Sequence, residues 1–318
     1  MIYFCTYFDK NYLSKFLTLK ASLDQHSSKY RFFILSLDNF TTDFFKKNNI
    51  KNIELINLTD LEVAYPDLLL AKKNRSLIEY YFTLSPFLPI YIFKKFYIFE
   101  ISYLDSDLYF FKNPSKFMNE SSDSSVVLIK QESNPIYGFY NVGWIFFNFN
   151  YKETRKIVEQ WGKQCLNFCS DIPSPAKNLY ADQKYLDSWP QQLKKIKILN
   201  PDHTCLSPWD KNTTIEANIE SVIAFHFHGL KVKNSYFVSG FSKYNKKISK
   251  KIIKNIYKPY LLNLFAIEKQ YNLQNSSIRG ISLGGVRGVL TKIRNLKAKI
   301  KQIIFRDFHL ISIIKNLP

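Results

Sequence analysis

Two carboxylates stand one residue apart inside one of the most apolar segments of the chain. Residues 96–114 read FYIFEISYLDSDLYFFKNP, so Asp105 and Asp107 interrupt a run of aromatic and β-branched side chains. Burying a charge costs several kcal/mol per ion unless a partner compensates it. The pair therefore indicates a turn into water, a hydrogen-bonded pair or a bound cation.

The position of the two carboxylates on their strand favours the cation. Residues i and i+2 of a strand lie on the same side, so Asp105 and Asp107 can converge while Ser106 points away. Two adjacent carboxylates repel each other, and a divalent metal removes that repulsion. In open α/β sheets ligands bind outside the carboxyl ends of strands, where this segment places the pair. We therefore predict a metal site.

The elements that must position this site alternate between strand-like and helix-like patterns. Residues 2–8, 30–38 and 51–58 are typical of buried strands, and a helical stripe over 11–26 and a polar helix near 41–48 separate them. This alternation predicts an α/β fold with a parallel sheet and helical crossovers.

The remainder of the chain is less regular. We predict a helix over 75–95 broken by its two prolines, strands over 124–130 and 140–150, a helix over 151–169 and a short helix entry at 180–189. A strand over 221–233 and basic helical sequence from about 246 follow.

Composition and charge limit the class of protein. The 318-residue chain is 17% aromatic, which excludes a disordered protein, and it is long enough to bury a full core. Its net charge of +19 favours polyanionic partners such as nucleotides, nucleic acid or an anionic membrane surface. The basic residues are spread along the chain and form no known nucleic-acid-binding module, so we expect no nucleic-acid partner.

Cysteine usage and hydropathy predict the compartment. Cys165 and Cys169 are four residues apart, Cys5 and Cys205 are isolated, and none of this spacing is typical of a zinc site or a disulfide scaffold. No signal peptide and no uncharged apolar run of about 20 residues is visible. We expect a cytoplasmic protein, soluble or peripheral at the inner face of the cell membrane.

An ordered series of segments is more specific than the aspartate pair alone. FDKNYLSKFLTLKASL, YLDSDLYFF, YNVGWIFFN, YADQKYLDSWP and HFHGLK occur in this order between about residues 2 and 233. The series resembles the nucleotide-sugar glycosyltransferases of GT-A fold, in particular the retaining family-8-type enzymes and the bacterial nucleotide-diphospho-sugar transferases close to them. This resemblance implies a Rossmann-like, mixed, mainly parallel sheet flanked by helices.

The resemblance also implies a metal and a donor. Asp105 and Asp107 match the aspartate pair, and His226 matches a later histidine, which together hold Mn²⁺ or Mg²⁺ against the donor phosphates. The donor is a nucleotide sugar, with a UDP-sugar as the first choice. His228 remains an alternative ligand, and we expect only one of the two histidines to reach the metal.

Further residues match donor-binding and reacting positions of the family. Asp182 and Gln183 match the residues near the reacting face of the sugar. The implied donor contacts are Thr6, Asp9, Tyr12, Arg75, Asp105, Asn141, Gly143, Lys231 and Lys233. Val232 stands where the family has a lysine and no Pro-Trp follows, so either Lys231 or Lys233 takes that role and the choice stays open.

Structural explanations compete with several of these roles. Asp182 could cap a helix, Asn141 could satisfy loop backbone, and Arg75 could be a solvated charge. Tyr12 and Trp144 could be ordinary core residues.

We predict a GT-A catalytic domain over 1–240 and a helical basic extension over 241–318. Val289, Ile293, Leu296, Ile300 and Ile303 form one stripe of a basic helix in the extension, which either packs on the domain or binds a membrane surface.

These features predict a metal-dependent glycosyltransferase acting on a glycan or lipid-linked acceptor in bacterial surface polysaccharide biosynthesis. The alternatives are a catalytically inactive sugar-nucleotide-binding relative or a basic nucleic-acid-binding protein.

Overall fold

Three sheets carry the described strands, one of seven strands and two of three strands each. The computed structural model describes residues 1–26, 29–233, 235–273 and 285–311, with side chains in the last range from residue 295 onward. The strands within these ranges are β1 Ile2–Phe8, β2 Tyr30–Ser36, β3 Ile53–Asn57, β4 Glu100–Leu104, β5 Leu108–Phe110, β6 Val126–Lys130, β7 Tyr140–Asn148, β8 Ile196–Leu199, β9 Cys205–Leu206, β10 Ala224–His226, β11 Lys231–Val232, β12 Tyr236–Val238 and β13 His309–Leu310.

The central sheet has seven described strands in the order β3-β2-β1-β4-β7-β6-β8. Neighbouring strands run parallel except at β7, which is antiparallel to both β4 and β6. This confirms the predicted mixed, mainly parallel sheet.

The described residues form thirteen α-helices, some of which cover the two faces of the central sheet. They are α1 Leu13–His26, α2 Asn39–Asn48, α3 Leu58–Ala64, α4 Asp67–Asn74, α5 Leu77–Leu84, α6 Phe87–Phe96, α7 Ser115–Ser121, α8 Lys152–Asn167, α9 Trp189–Gln192, α10 Asn212–Asn218, α11 Lys250–Ile252, α12 Lys258–Gln270 and α13 Gly285–Ile304, with a π-helical turn at Ile253–Tyr257.

The continuous apolar runs of β1 and β2 fill two cores because alternate residues point to opposite faces. Cys5 and Phe33 lie in the cluster that packs against α5, α6 and α8, whereas Phe4 and Phe32 lie in the cluster that packs against α1. Trp144 belongs to this second cluster with no exposed surface, so it is a core residue.

A second sheet brings the later histidine back to the aspartates. It has three described strands in the order β5-β10-β9, and β10 pairs antiparallel with β5 so that His226 lies opposite Leu108. Leu108 directly follows Asp107. This pairing therefore brings His226, which is more than 100 positions further along the sequence, to the carboxyl end of β4.

The two prolines of the predicted helix 75–95 behave differently. Pro86 separates α5 from α6, as predicted. Pro89 lies in the first turn of α6. Backbone N–H groups of the first turn have no acceptor within the helix, so the N–H that proline lacks costs no hydrogen bond and Pro89 does not break the helix. Tyr97 then ends α6 in a left-handed conformation, and β4 begins only at Glu100, four residues later than the apolar run suggests.

The segment after residue 240 shares a hydrophobic cluster with the segment before it. Phe225 and Phe237 lie in one cluster with Tyr257 and Tyr260, and the Phe227 and Tyr260 rings stack with centroids 3.8 Å apart. The predicted division at residue 240 therefore separates two parts of the chain that are packed together. No described helix is long and apolar enough to cross a membrane.

Candidate metal centre

Asp105, Asp107 and His226 converge at the carboxyl end of β4. One ligand atom from each lies within 4.8 Å of the others. The Nε2 atom of His226 is 3.1 Å from Oδ1 of Asp107 and 3.5 Å from Oδ2 of Asp105. The side chains of Asp107 and His226 are almost fully buried, whereas that of Asp105 is 33% exposed. The site therefore opens to solvent on the Asp105 side.

Burial and mutual attraction set the charges of this cluster. Burial raises the pKa of Asp107, but the positive charges of His226 and Lys15 outweigh it and hold that pKa below its usual value. Burial also raises the pKa of Asp105, and His226 only partly offsets it. For His226, burial lowers the pKa, but Asp107 and Asp105 outweigh burial and raise it. The two carboxylates are thus paired with basic groups, a role that a bound cation would take over.

The donor atoms suit a divalent cation. Two carboxylates and one imidazole combine hard oxygen ligands with a borderline nitrogen, which fits Mn²⁺ or Mg²⁺ better than a structural zinc site rich in thiolates. Asp105 and His226 are also fixed in place, since the Asp105 backbone N–H donates to Gly143 O at 2.9 Å and His226 belongs to β10. The residues present fit such a metal.

Gly143 is required by the close approach of the histidine. A Cβ atom at this position would stand 2.8 Å from Nδ1 of His226, too close for any larger residue. The Asn141 side chain accepts a hydrogen bond from Gly143 N at 2.7 Å, so Asn141 shapes the same piece of backbone. This supports the structural explanation of Asn141, and its predicted contact with the sugar stays a prediction.

Asp182 lies beside the cluster in a strained piece of backbone. It is 4% exposed, and burial raises the pKa of its carboxyl group to about 7, with Asp105 contributing in the same direction. The preceding residue, Ala181, has φ +45°, a conformation rare for residues other than glycine. Asp182 is not the N-cap of the following 3₁₀ turn, which begins after Gln183.

A chain of hydroxyl groups connects Asp182 to the metal centre. Ser85 hydrogen-bonds to Asp182 and to the Tyr7 hydroxyl, the latter at 2.9 Å. Tyr7 in turn interacts with the Tyr103 hydroxyl, which donates to Oδ1 of Asp105 at 2.9 Å. Sequence spacing could not identify this series of hydroxyl groups, because its members come from β1, β4 and the α5–α6 junction.

Gln183 lies next to Asp182 on the rim of the site. Its Nε2 atom donates to Tyr137 O at 2.7 Å, and it is partly exposed. The two predicted catalytic residues are therefore adjacent in space as well as in sequence, with Gln183 facing the segment around residue 137.

The implied donor contacts in β1 and in the loop after it are only partly brought to the cluster. Burial raises the pKa of Tyr12, and Asp107, Asp105 and Asp9 raise it further, which places the Tyr12 hydroxyl near all three carboxylates. Asp9 accepts hydrogen bonds from the Asn11 backbone and side chain at 2.9 and 3.0 Å. Thr6 lies inside the sheet with no exposed surface.

Arg75 is engaged by the protein itself. Its guanidinium group donates to Thr83 Oγ1 and Cys165 O, both at 2.5 Å, and to Leu166 O. These bonds use three of the five guanidinium N–H donors, and the predicted contact with donor phosphate stays a prediction. Arg75 is not a solvated charge, since it ties α5 to the end of α8.

Of the two histidines, His226 belongs to the described cluster of possible ligands and His228 does not. His226 ends β10 and His228 lies in the turn that follows, with the two ring centroids 5.6 Å apart. The Trp209 ring contacts both, at 5.2 and 5.7 Å between centroids. His228 Nε2 lies 3.4 Å from Lys243 Nζ, and burial and this lysine hold the pKa of His228 well below its usual value.

Three functional candidates were missed by sequence reasoning. Lys15 Nζ lies 3.6 Å from Oδ2 of Asp107, and Trp209 and Lys243 surround His228. Of the two lysines proposed in place of the family lysine, Lys231 is close enough to lower the pKa of Lys15. Lys233 follows β11, and its backbone N–H donates to Tyr236 O at 2.8 Å.

Two curated proteins of Bacillus subtilis are similar to the chain. "Uncharacterized protein YfnD" is 25% identical over 280 residues, covering 82% of this chain and 88% of that protein. "Uncharacterized protein YfnF" is 26% identical over 254 residues, covering 72% and 82%. No family model matches the chain.

Solved structures show the fold. Mouse xyloside xylosyltransferase 1 superposes with a TM-score of 0.50 at 13% identity, covering 72% of this chain and 98% of that one. The WbbM bifunctional glycosyltransferase superposes with a TM-score of 0.55 at 12% identity, covering 85% of this chain and 51% of that one. The chain has the GT-A-type glycosyltransferase fold, as predicted.

Proposed function

We propose that the chain is a metal-dependent glycosyltransferase. It would move a sugar from a nucleotide-diphosphate sugar, with a UDP-sugar as the first candidate, to a hydroxyl of a glycan or lipid-linked acceptor. The observation that carries this proposal is the convergence of Asp105, Asp107 and His226 at the end of β4, within a fold shared with glycosyltransferases.

Asp105, Asp107 and His226 would hold the divalent cation. When bound, that cation supplies electrostatic stabilisation of the charge that develops on the departing diphosphate. The protein contributes the orientation: the hydrogen bond from Tyr103 fixes the Asp105 carboxylate, and β10 fixes His226. Tyr12, Asp9 and Thr6 are the proposed contacts of the nucleoside.

Asp182 and Gln183 are the proposed residues at the sugar. Cleavage of the bond between the sugar and the diphosphate leaves positive character on the sugar ring, and the two side chains shield the back face of the ring. With retention of configuration, the leaving phosphate takes the proton of the acceptor hydroxyl. A strong general base is therefore not required in this proposal.

The proposed setting is surface polysaccharide biosynthesis in the cytoplasm, at the inner face of the membrane. The net charge of +19 supports contact with an anionic surface. So does the described part of α13, where Leu296, Ile300 and Ile303 are 59%, 46% and 67% exposed. Val289 and Ile293, the other members of the predicted stripe, have side chains outside the described set.

Release of free nucleotide from a panel of nucleotide sugars in the presence of Mn²⁺ tests the proposal. We expect one donor to react and Asp107→Ala to lower the rate about 100-fold or more, because the variant loses a ligand and leaves His226 without its closest partner. Asp43→Ala, which removes an exposed carboxylate on α2, is the matched control and should react like the wild type.

Calorimetric titration with nucleoside diphosphates separates the remaining outcomes. Binding that depends on Asp107, without turnover of any donor, would identify an inactive sugar-nucleotide-binding relative. If no donor is bound and no donor is turned over, the proposed function is contradicted.

A further inference from the structure

Lys15 places a buried positive charge at the metal centre. It lies on α1, and its side chain is only 15% exposed. Its Nζ atom is 3.6 Å from Oδ2 of Asp107 and 4.1 Å from the centre of the Tyr12 ring. The ammonium group therefore lies between the proposed nucleoside contact and a proposed metal ligand.

An ammonium group at this position opposes a metal that binds alone. Lys15 is an ion-pair partner of the same carboxylate that the metal needs, and its charge repels a divalent cation held by Asp107 and His226. Lys231 adds a second positive charge within electrostatic reach of Lys15. This excess of positive charge becomes favourable only when a polyanion joins the site.

We propose that Lys15 couples metal binding to diphosphate binding, an inference that rests on the proposed function. In the ligand-free protein Lys15 pairs with Asp107. When metal and donor bind together, Asp107 serves the metal and the Lys15 ammonium pairs with oxygens of the diphosphate. Lys15 is thus both a competitor of the metal alone and a binding residue for the donor.

This role predicts affinity changes of opposite sign for one substitution. Lys15→Gln removes the charge and keeps a polar side chain, so Mn²⁺ alone should bind about 10-fold more tightly. UDP in the presence of EDTA should bind about 10-fold more weakly, because the variant lacks the cation that pairs with the diphosphate. A substitution that merely loosened the fold would weaken both.

The experiment measures both affinities at constant pH. Electron paramagnetic resonance of free Mn²⁺ reports the first, and calorimetric titration of UDP into metal-free protein reports the second. Lys20→Gln is the matched control, since Lys20 lies on the same helix, is similarly buried and pairs with Asp24 at 2.7 Å. The control should leave both affinities within about 2-fold of the wild type.

Lys15→Met keeps the apolar stem and serves as a second neutral variant if Lys15→Gln does not fold. Opposite shifts in Mn²⁺ and UDP affinity support the inference. Unchanged affinities, or shifts of the same sign, in a folded variant whose wild type binds both ligands overturn it and leave the proposed function standing. A wild type that does not bind Mn²⁺, or that binds no nucleoside diphosphate, overturns both the inference and the proposed function.

Discussion

Asp182 is the candidate catalytic residue whose charge responds most directly to pH. Its pKa is raised by burial to about 7, whereas the same carboxyl in an unfolded chain titrates near 3.8. Between these values the folded protein keeps a proton that the unfolded chain has released. The free energy of unfolding therefore falls as the pH rises from about 4 to about 7, and the penalty is fully developed above that range.

We expect Asp182→Asn to remove part of this pH dependence, because the amide resembles the protonated acid and cannot ionise. The penalty is at most about 4 kcal/mol, from about three pKa units at about 1.4 kcal/mol each. Urea unfolding of the metal-free protein between about pH 5 and pH 8 measures it, and the wild type should lose stability more steeply than the variant.

Other buried acids act in the same direction in both proteins. Burial also raises the pKa of Asp210 and Glu268 to about 7. Because these groups are present in wild type and variant alike, the difference between the two curves isolates Asp182. Parallel curves would contradict the assignment of a raised pKa to this residue.

At the scale of single residues, the sequence predicted that Asp105 and Asp107 converge, but it gave the wrong reason. Both lie in the turn between β4 and β5, where the Leu108 N–H donates to Asp105 O, and not on a strand. His228 likewise lies in the turn after β10, so strand alternation does not set its orientation relative to His226. Lys15 could not be predicted, because it lies more than 90 positions before Asp107 and only the packing of α1 brings it there.

Among the elements, a buried carboxylate fastens the C-terminal segment to the edge of the site. Asp307 has no exposed surface and accepts hydrogen bonds from the backbone of Ser239, Gly240 and Ser242 at 2.9, 3.2 and 3.1 Å. The turn Phe241–Tyr244 that follows carries Lys243 to His228. Gly240, at φ +95°, passes so close to His228 O that a Cβ atom would lie 2.4 Å away.

We expect Asp307→Ala to destabilise this contact by about 2–5 kcal/mol, because three backbone N–H groups lose a charged acceptor in a buried setting. Hydrogen exchange of residues 239–242 should accelerate strongly, while exchange in β1 and β2 stays slow. Asp43→Ala, at an exposed position on α2, is the control and should leave both regions unchanged. Unaltered exchange at 239–242 in Asp307→Ala would show that the carboxylate does not hold the turn.

The elements that the sequence predicted well are those whose periodicity is uninterrupted. The parallel strands β1 and β2 were found because their apolar runs are buried on both faces, whereas β3 is only partly buried. The predicted strand 221–233 shortens to Ala224–His226, because Gly229 turns the chain at φ +80° and β11 then pairs with β12. The pairing of β13 with β12 spans about 70 residues and had no local signal.

For the whole molecule, charge and apolar surface coincide on the described part of α13. Ile303 and Ile304 are 67% and 65% exposed, and Lys297, Lys299 and Lys301 lie on the same helix. Each lysine near an anionic bilayer contributes about 1 kcal/mol, and the contribution is lost within a Debye length as salt is added. Isoleucine side chains inserted at the interface add an attraction that salt does not remove.

We therefore expect the protein to sediment with phosphatidylglycerol vesicles and not with phosphatidylcholine vesicles. Ile303→Ser combined with Ile304→Ser should weaken binding at least about 10-fold, because burial of each isoleucine contributes roughly 1.5–3 kcal/mol at full insertion. Leu69→Ser combined with Leu70→Ser removes another exposed apolar pair, on α4, where the two leucines are 43% and 62% exposed, and is the control. Equal loss of binding in both double variants would show that general surface hydrophobicity, and not α13, brings the site to the membrane.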